Sequence, residues 1–343
     1  MQITVVGLGA IGGLLAGRLR RAGFAVSALA RGATLAAVRE HGLRLQVEGT
    51  ESAVAIGVTD DPRELGPQDL VVIALKGPAL IEAAATLQPL LGPHTTVLPA
   101  MNGVPWWFLQ AAAATSAATA PKQPLASIDP GGRIGAALPI RQVLGCVVHM
   151  TCSNPEPGVI RHGFGNRLIV GEPAGGESQR TTAVCDALAQ AGFTAEPSTD
   201  IRSDIWYKLW GNMTTNPISA LTGATTDRIL DDPLVRDFML SAMAEAAAIG
   251  ARVGCPIAQS GEERIAITRQ LGGFRTSMLQ DAMAGRPLEI DALVTAVQEI
   301  GARVGVAAPS IAALLGLTRL MARERGLYPA ADPMQSAAPS AAT

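Results

Sequence analysis

Residues 3–13 read Ile3-Thr4-Val5-Val6-Gly7-Leu8-Gly9-Ala10-Ile11-Gly12-Gly13. A short β-branched run ends at a G-x-G-x-x-G pattern, and apolar residues at helical spacing follow it. In a strand–turn–helix unit, these glycines allow a tight turn, a close approach of the backbone to a pyrophosphate, and close packing of the helix on the strand. The helix amino terminus then offers free N–H groups to the phosphates. We therefore predict a Rossmann-type α/β domain whose phosphate-binding loop consists of Gly7, Leu8, Gly9, Ala10, Ile11 and Gly12.

The residue after the second predicted strand indicates which dinucleotide is bound. Residues 25–30 form that strand, and Arg31 follows it with Thr34 close behind. NAD sites usually carry an Asp or Glu here that binds the ribose 2′-hydroxyl, whereas an arginine can pair with a 2′-phosphate. The sequence favours NADP (NADPH) over NAD. The alternative is an ordinary surface arginine.

Two further strands end at polar residues. Residues 69–75 are almost continuously apolar, as buried parallel strands are, and Lys76 follows them. Residues 95–100 form the next strand, and Asn102 follows shortly after. Open α/β sheets bind ligands at the carboxyl ends of their strands, so both side chains are candidates for the site. A solvated loop lysine and a plain turn are the structural alternatives.

The middle of the chain predicts an extension of this domain. Residues 112–134 are rich in Ala, Thr, Ser and Pro, and we interpret them as a flexible insertion that either folds over the site or is a passive loop. Residues 143–151 resume a strand, and residues 158–171 suggest its antiparallel partners. A helix over 178–191 and a return strand over 195–197 follow.

Helical periodicity dominates the chain from about residue 200 onward. We predict a Rossmann domain over 1–199 and an all-α domain over 200–327. The Met and Ala stripe within residues 239–249 is core by default, although it could also support a homodimer. The Ala-, Pro- and Ser-rich residues 328–343 are predicted to be a disordered tail.

Lys208 is the only charged residue between Asp204 and Asp227. Burying a lysine among apolar and amide side chains costs free energy, so its presence calls for a reason. In a helix, Asn212 and Asn216 would share a face with it. One cation and two amides on a stripe are what polarising and protonating a carbonyl requires. The alternative is a lysine whose stem is buried and whose head reaches water.

Composition excludes several other functions. The 343 residues favour two domains, and a net charge of −2 with scattered arginines gives no footprint for nucleic acid. The apolar stretch over 83–121 is cut by prolines and glycines, so we expect no membrane span. Neither the histidines nor the cysteines have metal-ligand spacing, and we predict no metal. Four cysteines without disulfide-like spacing indicate free thiols in a reducing compartment, the cytoplasm.

Four sequence blocks together resemble the ketopantoate reductases (2-dehydropantoate 2-reductases), over nearly the whole chain. They are the glycine loop at 7–13, MNG at 101–103, KLWGNMTTNPISALTG at 208–223 and TSMLQDAMAGRPLEID at 276–291. The resemblance implies NADPH-dependent reduction of a 2-oxo acid, in a cleft between a Rossmann domain and a helical domain.

The resemblance also implies catalytic roles for three residues. Lys208 matches the family's catalytic lysine, which donates a proton to the nascent alkoxide. Glu289 matches an acidic residue of the same hydrogen-bond network, and Asn102 an active-site asparagine near nicotinamide and substrate. A surface ion pair between Glu289 and Arg286 is the structural alternative.

Binding roles follow from the resemblance in the same way. Asn212 and Asn216 match residues that hydrogen-bond the substrate hydroxyl, and Ser277 matches one that holds its carboxylate. Arg31 and Lys76 fall at positions that contact NADP. For Ser277, the structural alternative is a helix cap.

Three departures from the family pattern leave the substrate open. Phe274 stands where members often carry a substrate-contacting asparagine, Met101 stands where glutamine is frequent, and the 112–134 insertion is long. The alternatives are a reductase for another 2-oxo acid, an opine-type or imine-reducing dehydrogenase, and an NADPH-binding sensor without turnover. A sensor would need only the glycine loop and Arg31, so the retained Lys208 argues against it.

Overall fold

The computed structural model describes residues 1–112, 123–270 and 272–330, and these form two compact units. The first comprises Met1–Leu209 and Arg252–Pro256, and the second comprises Trp210–Ala251 and the chain from Ile257 onward. The predicted domain boundary at residue 199 precedes a long helix, whereas the division between the units falls within that helix.

The first unit is an α/β structure. Its strands are β1 (Gln2–Val6), β2 (Ala25–Leu29), β3 (Leu43–Val47), β4 (Thr50–Val54), β5 (Gly57–Thr59), β6 (Gln68–Ile73), β7 (Leu91–Pro99), β8 (Gly145–Glu156), β9 (Val159–Gly171) and β10 (Thr194–Ser198). Its helices are α1 (Ala10–Arg21), α2 (Gly32–His41), α3 (Gly77–Ala83), α4 (Phe108–Ala112), α5 (Arg133–Ala137) and α6 (Gln179–Gln190). Short 3₁₀ segments cover Pro62–Glu64, Ala84–Leu90, Pro130–Gly132 and Ile140–Gln142.

A five-stranded parallel sheet carries the predicted loop. Its strand order is β5-β2-β1-β6-β7. The central strands are apolar and buried on both faces, because the crossover connections cover them. Since all five strands run the same way, the loops that follow β1, β2, β6 and β7 meet at one edge. The predicted Rossmann-type fold is confirmed.

A second sheet extends the first unit. Its order is β10-β9-β3-β4, and β8 pairs antiparallel with β9, which confirms the predicted antiparallel extension. Sequence reasoning missed β3, β4 and β5. The sequence signal for the hairpin is weak, because Glu48 and Gly49 form its two-residue turn with φ angles of 49° and 78°, and only glycine favours positive φ. Residues with positive φ at both turn positions are typical of a tight hairpin.

The prediction of a flexible 112–134 insertion is wrong for its described part, residues 123–134. Asp129 is fully buried there, and its carboxylate accepts hydrogen bonds from the N–H groups of Ile134 at 2.7 Å and Gly135 at 2.9 Å. An anion at the amino terminus of α5 satisfies N–H groups that the helix cannot pair itself. Residues 113–122 lie outside the described chain.

The second unit is helical, as predicted. The long helix α7 (Ile201–Thr222) begins in the first unit and continues into the second. The other helices are α8 (Thr226–Asp231), α9 (Pro233–Arg252), α10 (Gly261–Arg269), α11 (Ser277–Met283), α12 (Ala296–Arg303) and α13 (Pro309–Glu324), with a π-helical turn at Asp291–Thr295. Among the described residues, no helix combines the length and apolarity needed to cross a membrane.

The predicted disordered tail is wrong at its first residue. Tyr328, the first residue assigned to the disordered tail, is partly buried, and its hydroxyl donates to Asp291 Oδ1 at 2.7 Å. The ordered chain therefore extends to this residue, because a buried hydrogen bond fixes it. Residues 331–343 lie outside the described chain.

Candidate active site

Two glycines of the loop are required by the local backbone and packing, whereas a third is not. Gly7 has φ +94°, and a Cβ on Gly12 would lie 2.0 Å from the Gly7 carbonyl oxygen. Gly9 has an ordinary φ of −71°, and a Cβ there would meet nothing within 4 Å. Packing therefore explains Gly7 and Gly12, whereas Gly9 borders open space. Such space beside the loop is what a diphosphate approaching the backbone needs.

The amino terminus of α1 is suited to an anion. No side chain caps it, and its first turn carries no acidic residue. The N–H groups at the start of a helix have no partner within the helix and carry a partial positive charge. The residues present therefore fit the phosphates of a dinucleotide.

Arg31 stands beside this loop at the edge of the sheet. It follows β2, whose Leu29 carbonyl accepts a hydrogen bond from Gly7 N at 2.9 Å. Its side chain is exposed and makes no ion pair or hydrogen bond with the residues that the structure describes. A free guanidinium next to the phosphate loop is compatible with the extra phosphate of NADPH.

Lys76 and Asn102 follow neighbouring strands of the same edge. Lys76 occupies the cap position before α3, directly after the β6 extension that pairs Ala74 N with the Val6 carbonyl at 2.9 Å. Asn102 follows β7, and the turn continues through Gly103 at φ +84°. The sequence predicted both residues after the carboxyl ends of neighbouring strands, and the structure has them there.

Lys208 and Asn102 are in direct contact. Lys208 Nζ donates to Asn102 Oδ1 at 2.7 Å and to the Val148 carbonyl on β8 at 2.5 Å. Two protein oxygens thus fix the ammonium at the end of β7. The sequence offered no signal for Val148, because a backbone carbonyl acts through position and not through residue type.

The start of α7 is anchored to the first unit by a buried arginine. Arg202 is only 6% exposed, and it donates from Nε to the Phe108 carbonyl at 3.2 Å and from Nη2 to the Val253 carbonyl at 2.5 Å. Its guanidinium lies 4.8 Å from the centre of the Phe108 ring, which also stacks on Trp206 at 5.7 Å. These contacts hold the helix turn that precedes Lys208. Sequence reasoning missed Arg202.

A thiol near Lys208 is not a competing nucleophile. Burial raises the pKa of Cys146 to about 12, and the positive charge of Lys208 opposes this only partly. The thiol therefore stays protonated at neutral pH, whereas a nucleophilic cysteine needs the thiolate.

Two asparagines follow Lys208 along α7, at the predicted four-residue spacing. Asn216 is 5% exposed and makes no side-chain hydrogen bond with any residue in the described ranges. Asn212 is partly exposed and also lacks such a bond within those ranges. The amide nitrogen and oxygen of Asn216 are not among the fully buried polar atoms that lack a partner, so both keep access to solvent. An accessible amide without a protein partner is able to hydrogen-bond a ligand.

The second unit also places the remaining two candidates. Thr276, not Ser277, caps α11, because its side chain accepts from Leu279 N at 3.2 Å. Ser277 is the first residue of that helix, exposed, and without a side-chain hydrogen bond in the described chain. Arg286 forms its ion pair with Asp281, at 2.8 Å. The structural alternative, a surface ion pair between Glu289 and Arg286, is therefore not what the structure has. Glu289 itself is partly buried.

Comparison with known proteins identifies the family. The family described as ketopantoate reductase PanE/ApbA matches residues 3–175, and its C-terminal domain matches residues 200–322. A 2-dehydropantoate 2-reductase of Mesorhizobium japonicum is 44% identical over 96% of this chain and 100% of its own length.

Solved structures agree with this match. A candidate ketopantoate reductase from Ralstonia solanacearum MolK2 is 56% identical, with a TM-score of 0.90 over 95% of this chain and 99% of its own. A D-mandelate dehydrogenase in complex with NADH and anilino(oxo)acetate is 20% identical, with a TM-score of 0.82 over 95% of this chain and 100% of its own. The latter shows a shared fold alone. The chain therefore belongs to the ketopantoate reductase family of oxidoreductases.

Proposed function

We propose that the protein reduces 2-dehydropantoate (ketopantoate) to pantoate with NADPH, and that Lys208 donates the proton. The observation that carries this proposal is the 2.7 Å contact between Lys208 Nζ and Asn102 Oδ1 at the end of β7. A proton donor held there lies on the same sheet edge as the glycine loop that fits a dinucleotide. The 44% identity to a 2-dehydropantoate 2-reductase supports the choice of substrate.

The chemistry divides between the cofactor and the protein. NADPH, when bound, supplies the hydride for the carbonyl carbon. Negative charge then grows on the substrate oxygen, and the preorganised Lys208 ammonium stabilises that charge and gives up a proton to it. Asn102 and the Val148 carbonyl hold Nζ in place before the substrate arrives, so little reorganisation is needed during the reaction.

Binding of the cofactor rests on the first unit. Gly9 leaves room for the diphosphate, the first turn of α1 offers its N–H groups, and Arg31 pairs with the 2′-phosphate. We assign Lys76 to the same cofactor. Its position after β6 brings it to the edge where parallel sheets bind dinucleotides.

Binding of the 2-oxo acid rests on residues of α7 and the second unit. The amide of Asn216, which has no hydrogen-bond partner in the described chain, donates to a substrate oxygen. Asn212 hydrogen-bonds the substrate hydroxyl as well, and Ser277 holds the substrate carboxylate. Glu289 belongs to the hydrogen-bond network around the proton donor. Ser277 is available for this because Thr276 does the capping.

The proposal is tested by NADPH oxidation at saturating cofactor, with ketopantoate beside a panel of branched, aromatic and linear 2-oxo acids. We expect kcat/KM to be highest for ketopantoate. Tight NADPH binding without ketopantoate turnover would contradict the assigned substrate. A requirement for an added amine would instead indicate an opine-type reaction.

A bulkier 2-oxo acid is the second candidate, and Phe274 favours it. The Phe274 carbonyl accepts from Thr226 N at 3.0 Å, and Phe274 N donates to Thr226 Oγ1 at 3.1 Å. These two hydrogen bonds fix the backbone that carries the aromatic side chain. An aromatic ring at a position that binds substrate would prefer an apolar substituent. The aromatic members of the panel test this candidate directly.

The proposal extends to compartment and assembly. Cys146, Cys185 and Cys255 are buried free thiols, which supports action in the reducing cytoplasm.

The exposed Leu317 and Leu320 on α13 support a homodimer. Light scattering of the purified protein measures the assembly, and a monomer at micromolar concentration would contradict it.

A further inference from the structure

Hydrogen bonds from Leu327 and Tyr328, near the end of the described chain, hold the segment that carries Glu289 on both sides. After α13 the chain reverses at Gly326, which has φ +65°, and Leu327 N returns to the Ala322 carbonyl at 2.7 Å. This is the hydrogen-bond pattern of a Schellman cap, in which a left-handed glycine ends the helix. The reversal brings Leu327 and Tyr328 back along the segment around Glu289.

Two contacts then bracket Glu289. On one side, Leu288 N donates to the Leu327 carbonyl at 2.9 Å. On the other, the Tyr328 hydroxyl donates to Asp291 Oδ1 at 2.7 Å. The flanking residues Leu288 and Ile290 are 5% and 0% exposed, so the backbone on both sides of the carboxylate is fixed in the core of the second unit.

A π-helical turn begins directly after this segment, at Asp291–Thr295. Arg319 joins the turn to α13, because its Nη2 donates to Thr295 Oγ1 at 3.0 Å and lies 3.8 Å from Asp291 Oδ1. Thr295 Oγ1 in turn donates to Asp291 at 2.9 Å. π-helical turns cost backbone hydrogen-bond geometry and occur frequently at functional sites.

Burial keeps the Tyr328 hydroxyl a donor. Burial and the hydrogen bond to Asp291 raise the pKa of Tyr328 to about 12, so the phenol stays protonated at neutral pH. The guanidinium groups of Arg319 and Arg323 lie 6.0 and 5.7 Å from its ring centre. The ring is therefore held by packing, while the hydroxyl fixes Asp291.

We propose that Tyr328, with Arg319, is a positioning residue that fixes the Glu289 carboxylate for the reaction. This inference rests on the function proposed above, and specifically on a role for Glu289 in the proton network. Tyr328 acts through the Asp291 turn and does not itself touch substrate or cofactor. Its hydroxyl therefore matters for turnover and not for NADPH binding.

The test is a kinetic double-mutant cycle of wild type, Tyr328→Phe, Glu289→Gln and the double variant. The reaction is NADPH oxidation with the 2-oxo acid of the panel that turns over fastest, and the Kd of NADPH is measured separately. We expect Tyr328→Phe to lower kcat by about 10-fold in the wild type but by less than about 2-fold in Glu289→Gln, with an unchanged Kd for NADPH. Residues that act as a unit are non-additive in this way.

The matched control is Thr318→Val on α13. Thr318 is fully buried, and its hydroxyl donates to the Leu314 carbonyl of its own helix at 2.7 Å. This variant loses a buried hydroxyl on the helix that carries Arg319 and precedes Tyr328, and it should lower the melting temperature without changing kcat.

Three results would overturn the inference, each for a different reason. Equal losses from Tyr328→Phe in both backgrounds would make the tyrosine independent of Glu289. An equal loss of kcat in Thr318→Val would mean that Tyr328→Phe lowers kcat only by destabilising the fold. Full activity of Glu289→Gln would remove Glu289 from the proposed function, and the positioning role with it. Failure of ketopantoate alone affects only the assigned substrate, because the cycle uses the fastest 2-oxo acid.

Discussion

Lys208 Nζ lies 2.7 Å from Asn102 Oδ1, although 106 residues separate them in the chain. The amide oxygen accepts this bond, and the Val148 carbonyl accepts another from the same ammonium. A lysine whose head merely reaches water would not be held by two protein oxygens. The geometry is that of a preorganised cation at the end of β7.

Replacing Lys208 should therefore affect chemistry more than cofactor binding. We expect Lys208→Ala to lower kcat by about 10²–10⁴-fold, because both charge stabilisation and the proton donor are lost. The Kd of NADPH should change little. Lys208→Arg keeps the charge but does not release a proton near neutral pH, so it should also be slow. Stopped-flow single-turnover kinetics measure the step, and an unchanged kcat in Lys208→Ala would remove Lys208 from the mechanism.

The glycine loop offers a matched pair of substitutions. Gly9→Ala places a Cβ in open space at an ordinary φ, so the melting temperature of the free protein should not fall. Its affinity for NADPH should drop by about 10-fold or more, since the methyl group occupies the approach of the diphosphate. Gly12→Ala should instead destabilise the fold, because its Cβ would lie 2.0 Å from the Gly7 carbonyl oxygen.

Thermal melts without cofactor and fluorescence titrations with NADPH separate these two effects. Gly9→Ala with unchanged NADPH affinity would show that the open space beside Gly9 is not the cofactor's.

Local patterns predicted the positions of the loop and of the strand ends, because the glycine loop, Arg31, Lys76 and Asn102 each follow a strand that is recognisable from its own residues. The family resemblance assigned Lys208 and Asn102 to one active site, but local patterns did not predict their direct contact. It depends on where α7 packs, which Arg202 and its contacts with Phe108 decide. Long-range packing of this kind leaves no periodic trace in the sequence.

The other differences between the sequence predictions and the structure also have local causes. The β3–β4 hairpin was missed because its turn contains Glu48, a residue that rarely adopts positive φ. Residues 123–134 look like linker by composition, yet one buried carboxylate, Asp129, orders them.

Arg31 should distinguish the two nicotinamide cofactors. Arg31→Ala removes an exposed guanidinium that has no ion-pair partner in the described chain, so the fold should be unaffected. We expect the Kd of NADPH to rise by about 10-fold or more and that of NADH to change by less than about 2-fold. Arg39→Ala, which removes an exposed arginine of the following helix α2, is the matched control. Equal losses for both cofactors would mean that Arg31 does not bind the 2′-phosphate.

The buried thiols predict a decline of stability at alkaline pH. Burial raises the pKa of Cys146 and of Cys152 from 9.0 to about 12. Well below pH 9 the thiols are protonated in both folded and unfolded chains, so they contribute no pH dependence. Between pH 9 and 12 the unfolded chain ionises first, and the free energy of unfolding falls.

Urea melts at several values between pH 8 and 11 measure this slope. Cys146→Ala should show a shallower decline than wild type over the same range, since one of the raised pKa values is gone. The same slope in both proteins would mean that Cys146 ionises as easily in the folded chain as in the unfolded one.

Asn216 separates stability from function. Its amide has no hydrogen-bond partner in the described chain and keeps access to solvent, so Asn216→Leu, which keeps the branching of the side chain, should change the free energy of unfolding by less than about 1 kcal/mol. The same change should raise KM for the 2-oxo acid by about 10-fold or more, because the substrate loses a hydrogen bond.

The neighbouring Thr215→Val is the control, because the Thr215 hydroxyl already donates to the Gly211 carbonyl at 3.1 Å. Removing a hydroxyl that is paired within its own helix should change KM little. An Asn216→Leu protein with an unchanged KM would contradict a role for this amide in binding the 2-oxo acid. A raised KM in Asn216→Leu, beside a wild-type KM in Thr215→Val, is the result expected when the substrate loses a hydrogen bond and the helix is otherwise intact.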